Sequence, residues 1–505
     1  MFWWSLDSPG PSPFADGLLI VPSLTASRPR SDESPERWNL GSQSDQKRSR
    51  AASALLMVYL ASTIILGGTG ANGSVYPLLL ESFSCVVLVY GVVTARRSDQ
   101  LALDKFSRAL VLAFLLYSLF ELVPLPPEIW KALPGRAIAQ QGLRLMRAGD
   151  PWLPLSLQPQ RTLGSLLSGL PVPVLLLMSA RLRPLPVRSL SVILVAAAMV
   201  SLLVGIFQLA GGPESILYLH SYTNTDSAVG FFANANHLAT LLVVTSPVGA
   251  ALLTRWPRGS SDSARLAMYL ALTVIIGGGI YCTGSFAGMI LWFPATAASL
   301  FLFRKAPRRI VRTLTIALAL TAASGAAAWN SGWFPAMDTS FGWQEGDRLN
   351  MASGGIVLTR AYWPSGSGLG TLEQVYHLIE DPRVIGSSYV NHLHNDYIEW
   401  LVELGAFGAL MLVGFLVLWA RLAWQAWRDP GGEMLWPRTA SIVTGLILLH
   451  SFVDYPLRTP AMLTVFCLYW LALCSPDRSK DIETGEPIIA GRSRGGRQNR
   501  RIRLR

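Results

Sequence analysis

The residues most suited to chemistry in this sequence are two histidines, an asparagine and an aspartate, in the segment His-Leu-His-Asn-Asp at positions 392–396. An apolar run follows directly, from about Glu399. Imidazole titrates near neutral pH and can take or deliver a proton, and a nearby carboxylate can orient it. A His-x-His pair can also chelate zinc, but no third ligand is evident. The segment predicts a proton-transfer site where a loop enters an apolar run, with an interfacial anchor as the alternative.

Polar side chains interrupt apolar runs in two further places. The first segment contains Asn234, Asn236 and His237, and the second contains His450, Asp454 and Arg458. Ionisable groups at membrane depth are costly and usually face a cavity or a partner. Hydrogen bonds between helices, and an interfacial pair of Asp454 with Arg458, are the structural alternatives. The sequence favours neither a structural nor a functional role.

The composition indicates which elements must position these groups. Hydrophobic residues make up 51% of the 505 residues and charged residues only 14%, whereas a soluble globular protein carries about 25% charged residues. So few charges cannot coat a soluble protein of this length, which excludes soluble enzymes and disordered scaffolds. The net charge of +11 could suit nucleic acid, but the basic residues lie between apolar segments, so we expect no nucleic-acid partner.

Apolar runs long enough to cross a bilayer recur along the chain. A hydrocarbon core of ~30 Å requires about 20 mostly apolar residues per helix, and a helix satisfies its own backbone hydrogen bonds in lipid. The predicted spans are residues 51–66, 74–94, 106–123, 162–180, 188–210, 234–254, 265–282, 284–303, 311–329, 399–420, 438–454 and 459–475. The predicted fold is an all-α polytopic membrane protein with about 12 transmembrane helices.

Basic residues precede the first span and fill every second connection, which predicts that these connections and both termini are cytoplasmic. We expect a disordered cytoplasmic tail at 1–50, a transmembrane domain at 51–475 and a basic cytoplasmic tail at 476–505. One large periplasmic loop, residues 330–398, lies between the ninth and tenth spans, and long loops are usually functional. The connection 124–161 is basic although it should face outward, and its tryptophans favour an interfacial segment.

Two features are expected on the outer side. All six histidines fall in or near the outer ends of outward-facing segments, which suggests a site on that face.

Within the large loop, the glycine-rich segment Gly366–Gly370 resembles a phosphate-cradling turn. It lacks the Lys-Ser/Thr pair of a P-loop, and a tight turn near the membrane surface is the favoured alternative.

The segment from His394 resembles the signature of the O-antigen ligase and O-antigen polymerase superfamily of bacterial envelope glycosyltransferases. That signature is His, then Asn, Ser or Gln, nine residues, Gly, two residues, and Gly, Thr or Tyr. Here His394-Asn395 is followed, nine residues later, by Gly405-Ala406-Phe407-Gly408. Supporting similarities over roughly 190–475 are the Asn234–Asn236–His237 stretch, Arg348 before Pro364 and the Gly366–Gly370 turn, and the Asp454–Pro456–Arg458 ending.

One position departs from the family pattern. Members often carry a Ser-Arg-Gly motif at the outer end of a middle span, and this chain has Phe286 where the arginine would stand. If that arginine holds a pyrophosphate, another cation must do so here. Arg348 and Arg360 are the first candidates, with Arg161 and Arg458 behind them.

The resemblance implies transfer of a polyprenyl-diphosphate-linked glycan to an acceptor hydroxyl on the periplasmic face of the bacterial inner membrane. The acceptor would be a glycan or lipid A-core, in O-antigen or exopolysaccharide polymerisation or ligation. Membrane lipids and other polysaccharide export components would be its further partners. No Asp-x-Asp motif is evident, so we expect no metal or other cofactor.

Within that reaction each candidate residue has an expected role. His394 is assigned as general base or acceptor-positioning residue, with His392, Asn395 and Asp396 supporting it. Arg348 first, and Arg360 second, is assigned to stabilise the departing diphosphate, because a guanidinium binds phosphate through two parallel hydrogen bonds. The expected substrate-binding residues are Arg360, Asn395, Asn234, Asn236, His237, Asp454 and Arg458.

Two other functions are compatible with the sequence. A secondary transporter often has about twelve spans, but it usually shows repeat symmetry and broken helices near the bilayer midplane. Here the polar residues lie at the outer rim and in one outer loop. The third alternative is a catalytically silent, glycolipid-binding member of the same superfamily, which Phe286 leaves open.

Overall fold

We describe the protein from a computed structural model. The residues described are 35–69, 75–96, 99, 101, 103–182, 184–256, 260–303, 309, 312, 316, 340–380, 390–429 and 434–475. The chain divides into two units, Met1–Arg48 and Ser49–Arg505, and all the sites discussed below lie in the second.

The described residues are mostly helical. The helices are α1 (Pro35–Leu66), α2 (Val75–Val93), α3 (Lys105–Phe120), α4 (Pro127–Trp130), α5 (Ala137–Leu145), α6 (Pro159–Ser168), α7 (Pro171–Arg181), α8 (Val187–Gly211), α9 (Ala235–Thr254), α10 (Asp262–Thr283), α11 (Phe286–Leu300), α12 (Ser340–Tyr362), α13 (Leu372–Tyr376), α14 (Asp396–Arg428), α15 (Leu435–His450) and α16 (Pro460–Cys474). A 3₁₀ turn covers Pro456–Arg458, and two-residue strands β1 (Pro124–Leu125) and β2 (Leu153–Pro154) pair antiparallel.

The helices follow the predicted spans closely. Every predicted span except 311–329 coincides with one helix, or with the pair α6 and α7 in the case of 162–180. Seven helical segments of the described residues are long and apolar enough to cross a membrane: Arg48–Leu66, Val75–Val93, Pro159–Arg181, Val187–Gly211, Ala235–Thr254, Asp262–Thr283 and Asp396–Arg428. Nearly all of 311–329 lies outside the described residues, and the number of twelve spans stays a prediction.

Two tail segments were expected at the ends of the chain. Helix α1 begins at Pro35, so residues 35–50, which we expected to be part of a disordered tail, are helical in the structure. Residues 1–34 and 476–505 lie outside the described residues.

Helix α9 lies at the centre of the helical core. It packs against α8, α10, α11 and α15, and its residues are buried almost without interruption from Ala235 to Ala251. A helix that is apolar on all sides is stable only when other elements or lipid surround it. Its N-terminal end carries polar side chains that reach the site described below.

The predicted outer loop contains regular structure. Helix α12 packs along α14, and the short helix α13 joins them in a small apolar cluster of their own. That cluster includes Leu358, Tyr362, Leu393 and Val402. The packing of α12 and α13 therefore positions the residues just before α14, at the end of the loop.

Candidate functional site

Asn395 fixes the start of α14. Its side-chain oxygen accepts hydrogen bonds from the backbone N–H groups of Tyr397 (3.1 Å) and Ile398 (3.0 Å), and its Nδ2 donates to the Phe452 carbonyl (2.9 Å). Asparagine is among the best N-cap residues because it satisfies these otherwise unpaired donors. The Asn of the family signature therefore anchors the helix to the α15–α16 connection. This structural role is better supported than the predicted contact with substrate.

Gly405, nine residues after the start of α14, interrupts the helix. Its φ of 55° is left-handed, a conformation that glycine adopts without steric cost. The carbonyl oxygen of Pro364 lies 2.2 Å from where a Cβ on Gly405 would stand. At this break the segment 366–370 packs against α14, with Ser367 N donating to the Val402 carbonyl (3.0 Å).

The glycine-rich segment 366–370 is a tight turn whose amides already have partners. Gly368 N donates to the Glu403 carbonyl (2.9 Å), and Leu369 N donates to the buried carboxylate of Glu121 (3.1 Å). Because internal acceptors bind these N–H groups, the turn does not offer them to a phosphate. Of the two interpretations of this sequence, the structure supports the tight turn.

His394 lies beside a buried carboxylate. Its Nδ1 is 3.2 Å from Oδ1 of Asp454, whose side chain is 1% exposed, whereas the His394 side chain is 21% exposed. The backbone of His394 has φ 50°, an uncommon left-handed conformation for a residue with a side chain. Strained backbone of this kind is concentrated at functional sites. The contact is an ion-pair approach, because Nδ1 has no hydrogen-bond partner of regular geometry among the described residues. An imidazole with a carboxylate beside one nitrogen can present the other nitrogen to a substrate.

His392 forms a second histidine–carboxylate pair. Its Nδ1 lies 2.8 Å from Oε1 of Glu399, and the other carboxylate oxygen accepts from Leu393 N (3.1 Å). Burial alone would lower the pKa of His392, but the adjacent Glu399 carboxylate outweighs it and raises the pKa. The pair therefore favours the charged imidazolium at this position.

Arg458 is enclosed by three carboxylates of α14. Its Nη1 donates to Glu403 (2.7 Å), and its Nε lies 3.3 Å from Glu399 and 3.6 Å from Asp396. Burial would lower the pKa of Arg458, but these carboxylates raise it. Nε and Nη1 hold the 3₁₀ turn against α14, whereas Nη2, also buried, has no hydrogen-bond partner among the described residues. Arg458 therefore has a structural role, and its contact with substrate stays a prediction.

Asp396 likewise ties α14 to the α15–α16 connection. Its Oδ2 accepts from the Ser451 hydroxyl (2.7 Å) and from Leu457 N (3.4 Å), and its own N–H donates to the Ser451 carbonyl (3.0 Å). The predicted catalytic Asp396 therefore lies in the cluster without contacting His394 in the described contacts. The carboxylate beside His394 belongs to Asp454 instead.

The ring of Tyr455 lies between three imidazoles. The ring centroids are 4.2 Å from His392, 4.9 Å from His394 and 4.9 Å from His237. Its hydroxyl accepts a hydrogen bond from Nδ2 of Asn234 (3.3 Å). Tyr455 thus fixes the spacing of the histidines and links them to the N-cap of α9.

The start of α9 completes the cluster. His237 Nε2 lies 4.0 Å from Asp454 Oδ1, and the hydroxyl of Thr240 lies 2.7 Å from His450 Nδ1. Asn236 accepts a hydrogen bond from Ser285 (2.6 Å), the N-cap of α11 and the residue before Phe286. Four of the six histidines therefore meet around Asp454 and Tyr455.

The other two histidines lie elsewhere. His220 is buried against the Phe231 carbonyl (3.2 Å), and the exposed His377 pairs with Glu380 (2.9 Å). Of the six histidines that suggested a site on the outer face, these two lie outside the cluster. His377 provides a histidine of the same chain outside the cluster.

The predicted phosphate-binding arginines occupy different environments. Arg348 lies on α12 within electrostatic reach of the buried His450. Arg360 is exposed near the end of α12, and in the described contacts it does not reach the histidine cluster. Arg161 pairs with Glu373 (3.2 Å). Of Arg348, Arg360 and Arg161, Arg348 is the one with an electrostatic effect on a histidine of the cluster.

The sequence interpretation did not assign Glu399, Glu403 or Tyr455 to the site. Glu399 follows Asp396 by three residues and Glu403 follows Glu399 by four, so the three carboxylates share one helical face. That acidic stripe in an otherwise apolar run was the available signal. The described residues include no group of three or more His, Cys, Asp or Glu side chains arranged to hold a metal ion.

A comparison with protein-family models matches residues 271–413 to the O-antigen ligase family. The matched residues include His392, His394 and Gly405, whereas Asp454 and Arg458 lie beyond them. A search of curated proteins finds no match. The match confirms, over residues 271–413 of this multi-pass membrane protein, the resemblance read from the signature to the O-antigen ligase and polymerase superfamily.

Proposed function

We propose that the protein transfers a glycan from a polyprenyl diphosphate carrier to an acceptor hydroxyl at the outer face of the bacterial inner membrane. The observation that carries this proposal is the 3.2 Å approach of His394 Nδ1 to the buried Asp454 carboxylate. His394 lies within the residues that match the O-antigen ligase family. The arrangement is suited to removing a proton from a hydroxyl, and a carrier diphosphate supplies a leaving group that is already activated.

His394 acts as the general base in this proposal. Asp454 holds Nδ1, so that Nε2 accepts the hydroxyl proton and the resulting imidazolium is stabilised by the carboxylate. His237 is buried 4.0 Å from the same carboxylate, and neither of its ring nitrogens has a hydrogen-bond partner among the described residues. The acceptor oxygen then attacks the anomeric carbon, the bond to the diphosphate oxygen breaks, and the polyprenyl diphosphate departs.

Arg348 stabilises the charge on the departing diphosphate. Its guanidinium is suited to binding two phosphate oxygens at once. Arg348 is assigned this role because it lies on α12 within electrostatic reach of His450. In the proposed reaction the guanidinium neutralises the diphosphate without a metal ion. Arg360, further along α12, could contact the glycan.

The protein belongs, in this proposal, to O-antigen or exopolysaccharide assembly, either as a ligase or as a polymerase. Both reactions use the same donor and differ in the acceptor, which is lipid A-core for a ligase and a growing glycan for a polymerase. Other export components of the polysaccharide are expected partners.

Deleting the gene and examining lipid-linked and surface polysaccharide together tests the proposal. Single repeat units left on carrier or core would indicate a polymerase, and full-length polymer left on the carrier would indicate a ligase. The wild-type gene and the His377→Ala variant should restore the polysaccharide, whereas His394→Ala should not. Unchanged glycans in the deletion strain would contradict the proposal.

A further inference from the structure

The connection between α3 and α6 forms a small folded segment outside the predicted spans. Strands β1 and β2 close it, and the fully buried Trp130 donates from Nε1 to the Pro151 carbonyl (2.9 Å). Trp130 packs with Leu125 and Leu155, and Leu143 of α5 covers them. We call residues 124–155 the β-closed segment.

Two of the four basic residues of this segment have internal partners. Lys131 forms an ion pair with Asp150, and Arg136 donates to the Leu155 carbonyl. Arg161, just beyond the segment, pairs with Glu373. The two remaining basic residues, Arg144 and Arg147, are exposed on or beside α5.

Helix α5 has one broad apolar face, of which only part is covered by the segment. Ala139 and Leu143 pack into the interior of the segment. Ile138 and Leu145, seven residues apart, form the outer part of the apolar face and are 58% and 78% exposed. Met146, next in the chain, is 70% exposed. This outer part of the apolar face needs a covering of its own.

The identity of that covering follows from what surrounds the face. The preceding helix α3 carries exposed leucines along its length, and the exposed apolar surface continues through Phe120 and Val123 to Ile129 at the start of the segment. Arg144 and Arg147 flank the face. Apolar side chains bordered by arginines are typical of helices that lie in the headgroup region of a bilayer.

We propose that the outer face of α5, formed by Ile138, Leu145 and Met146, lies in the membrane interface, and that Arg144 and Arg147 bind the phosphates of anionic lipids there. Trp152, also exposed, lies in the same segment, and tryptophan is enriched at membrane interfaces. The β-closed segment would then rest on the lipid surface. This proposal does not depend on the glycan-transfer function.

Fluorescence quenching in lipid nanodiscs tests the proposal with the full chain. An environment-sensitive fluorescent amino acid replaces Met146 in one variant and Glu128, an exposed acidic residue of the same segment, in the control. Lipids carrying a spin-label quencher near the headgroup should quench position 146 at least about twofold more strongly than position 128. Equal quenching at both positions would overturn the proposal.

The lipid selectivity of the same probe tests the arginines. Quencher-labelled phosphatidylglycerol should quench position 146 more strongly than quencher-labelled phosphatidylcholine. Each arginine should contribute a factor of no more than about five to the ratio of the two quenching efficiencies. The double variant Arg144→Gln, Arg147→Gln should lose this preference while keeping the quenching by phosphatidylcholine. An unchanged preference in the variant would contradict the role of the arginines. Protection of position 146 that depends on protein concentration, instead of quenching, would show that a second copy covers the face.

Discussion

At the residue scale, the geometry distinguishes the two histidines of the His-Leu-His segment. His394 lies beside Asp454 in the α15–α16 connection, whereas His392 pairs with Glu399 of the helix that follows it. The sequence suggested Asp396 as the carboxylate partner because it is nearby in the chain. Asp454 is distant in sequence, and only the packing of α14 against α15 brings it to His394.

Replacing Asp454 tests whether this carboxylate holds the base. Asp454→Asn keeps the shape but removes the charge that stabilises the imidazolium, so the turnover rate should fall by about 10²-fold or more, while the apparent affinity for donor should change little. Steady-state kinetics with a lipid-linked glycan give both quantities. The control is Glu380→Gln, which alters the partner of the exposed His377. Equal turnover for Asp454→Asn and wild type would exclude the assigned role.

Arg348 provides a second test at this scale. Arg348→Lys should be nearly as damaging as Arg348→Ala if the guanidinium binds two phosphate oxygens, because lysine is a point charge. Glycan transfer by membranes containing each variant measures the effect. Full activity of Arg348→Lys would indicate that charge alone is required.

The His392–Glu399 pair makes stability depend on pH. The pKa of His392 is raised in the folded protein, so the pair stabilises the fold fully below the ordinary histidine pKa of about 6.5, and this contribution is lost as the pH rises through the folded pKa. His392→Gln should therefore lower the melting temperature more at pH 5.5, about one unit below that value, than at pH 9, about 2.5 units above it. Thermal unfolding in detergent measures this difference. An equal loss at both pH values would contradict the pairing.

At the element scale, the break in α14 determines how the turn at 366–370 meets the site. Gly405→Ala should destabilise the protein, because a left-handed conformation costs a non-glycine residue about 1–2 kcal/mol and the added Cβ would meet the Pro364 carbonyl. The melting temperature should fall and glycan transfer should decrease.

Gly414→Ala is the matched control on the same helix. Gly414 is helical, and a Cβ there would meet only Leu110 Cδ2, at 3.4 Å, so its melting temperature should match wild type or exceed it slightly. If Gly405→Ala behaves like Gly414→Ala, the break is not required.

The helices could be predicted well from the sequence, and the contacts between them could not. Apolar runs located most of the apolar helices within a few residues because hydropathy acts locally along the chain, but they did not locate the start of α1 or the helices α12 and α13 of the predicted loop. The signature located His394 and Asn395. The ion pairs of Arg458 with Glu399 and Glu403 join two segments far apart in sequence, and a single sequence contains no direct record of that proximity.

At the scale of the whole molecule, the distribution of basic residues predicts the orientation in the membrane. A fluorescent protein fused after Arg505 should fluoresce, because that terminus is expected in the cytoplasm, whereas alkaline phosphatase fused after Glu380 should be active in the periplasm. Fusions of each reporter at the other position serve as controls. The opposite pattern would place the histidine cluster on the cytoplasmic side and contradict the proposed reaction.

The central claim is that His394 removes the acceptor proton during glycan transfer from a polyprenyl diphosphate. The most direct measurement uses purified protein in nanodiscs with the lipid-linked glycan and its acceptor, and follows the release of free polyprenyl diphosphate together with the glycosylated acceptor. Wild type and His377→Ala should form both products at the same rate, and His394→Ala should be slower by about 10²–10⁴-fold while remaining folded. Equal rates for His394→Ala and wild type would contradict the claim.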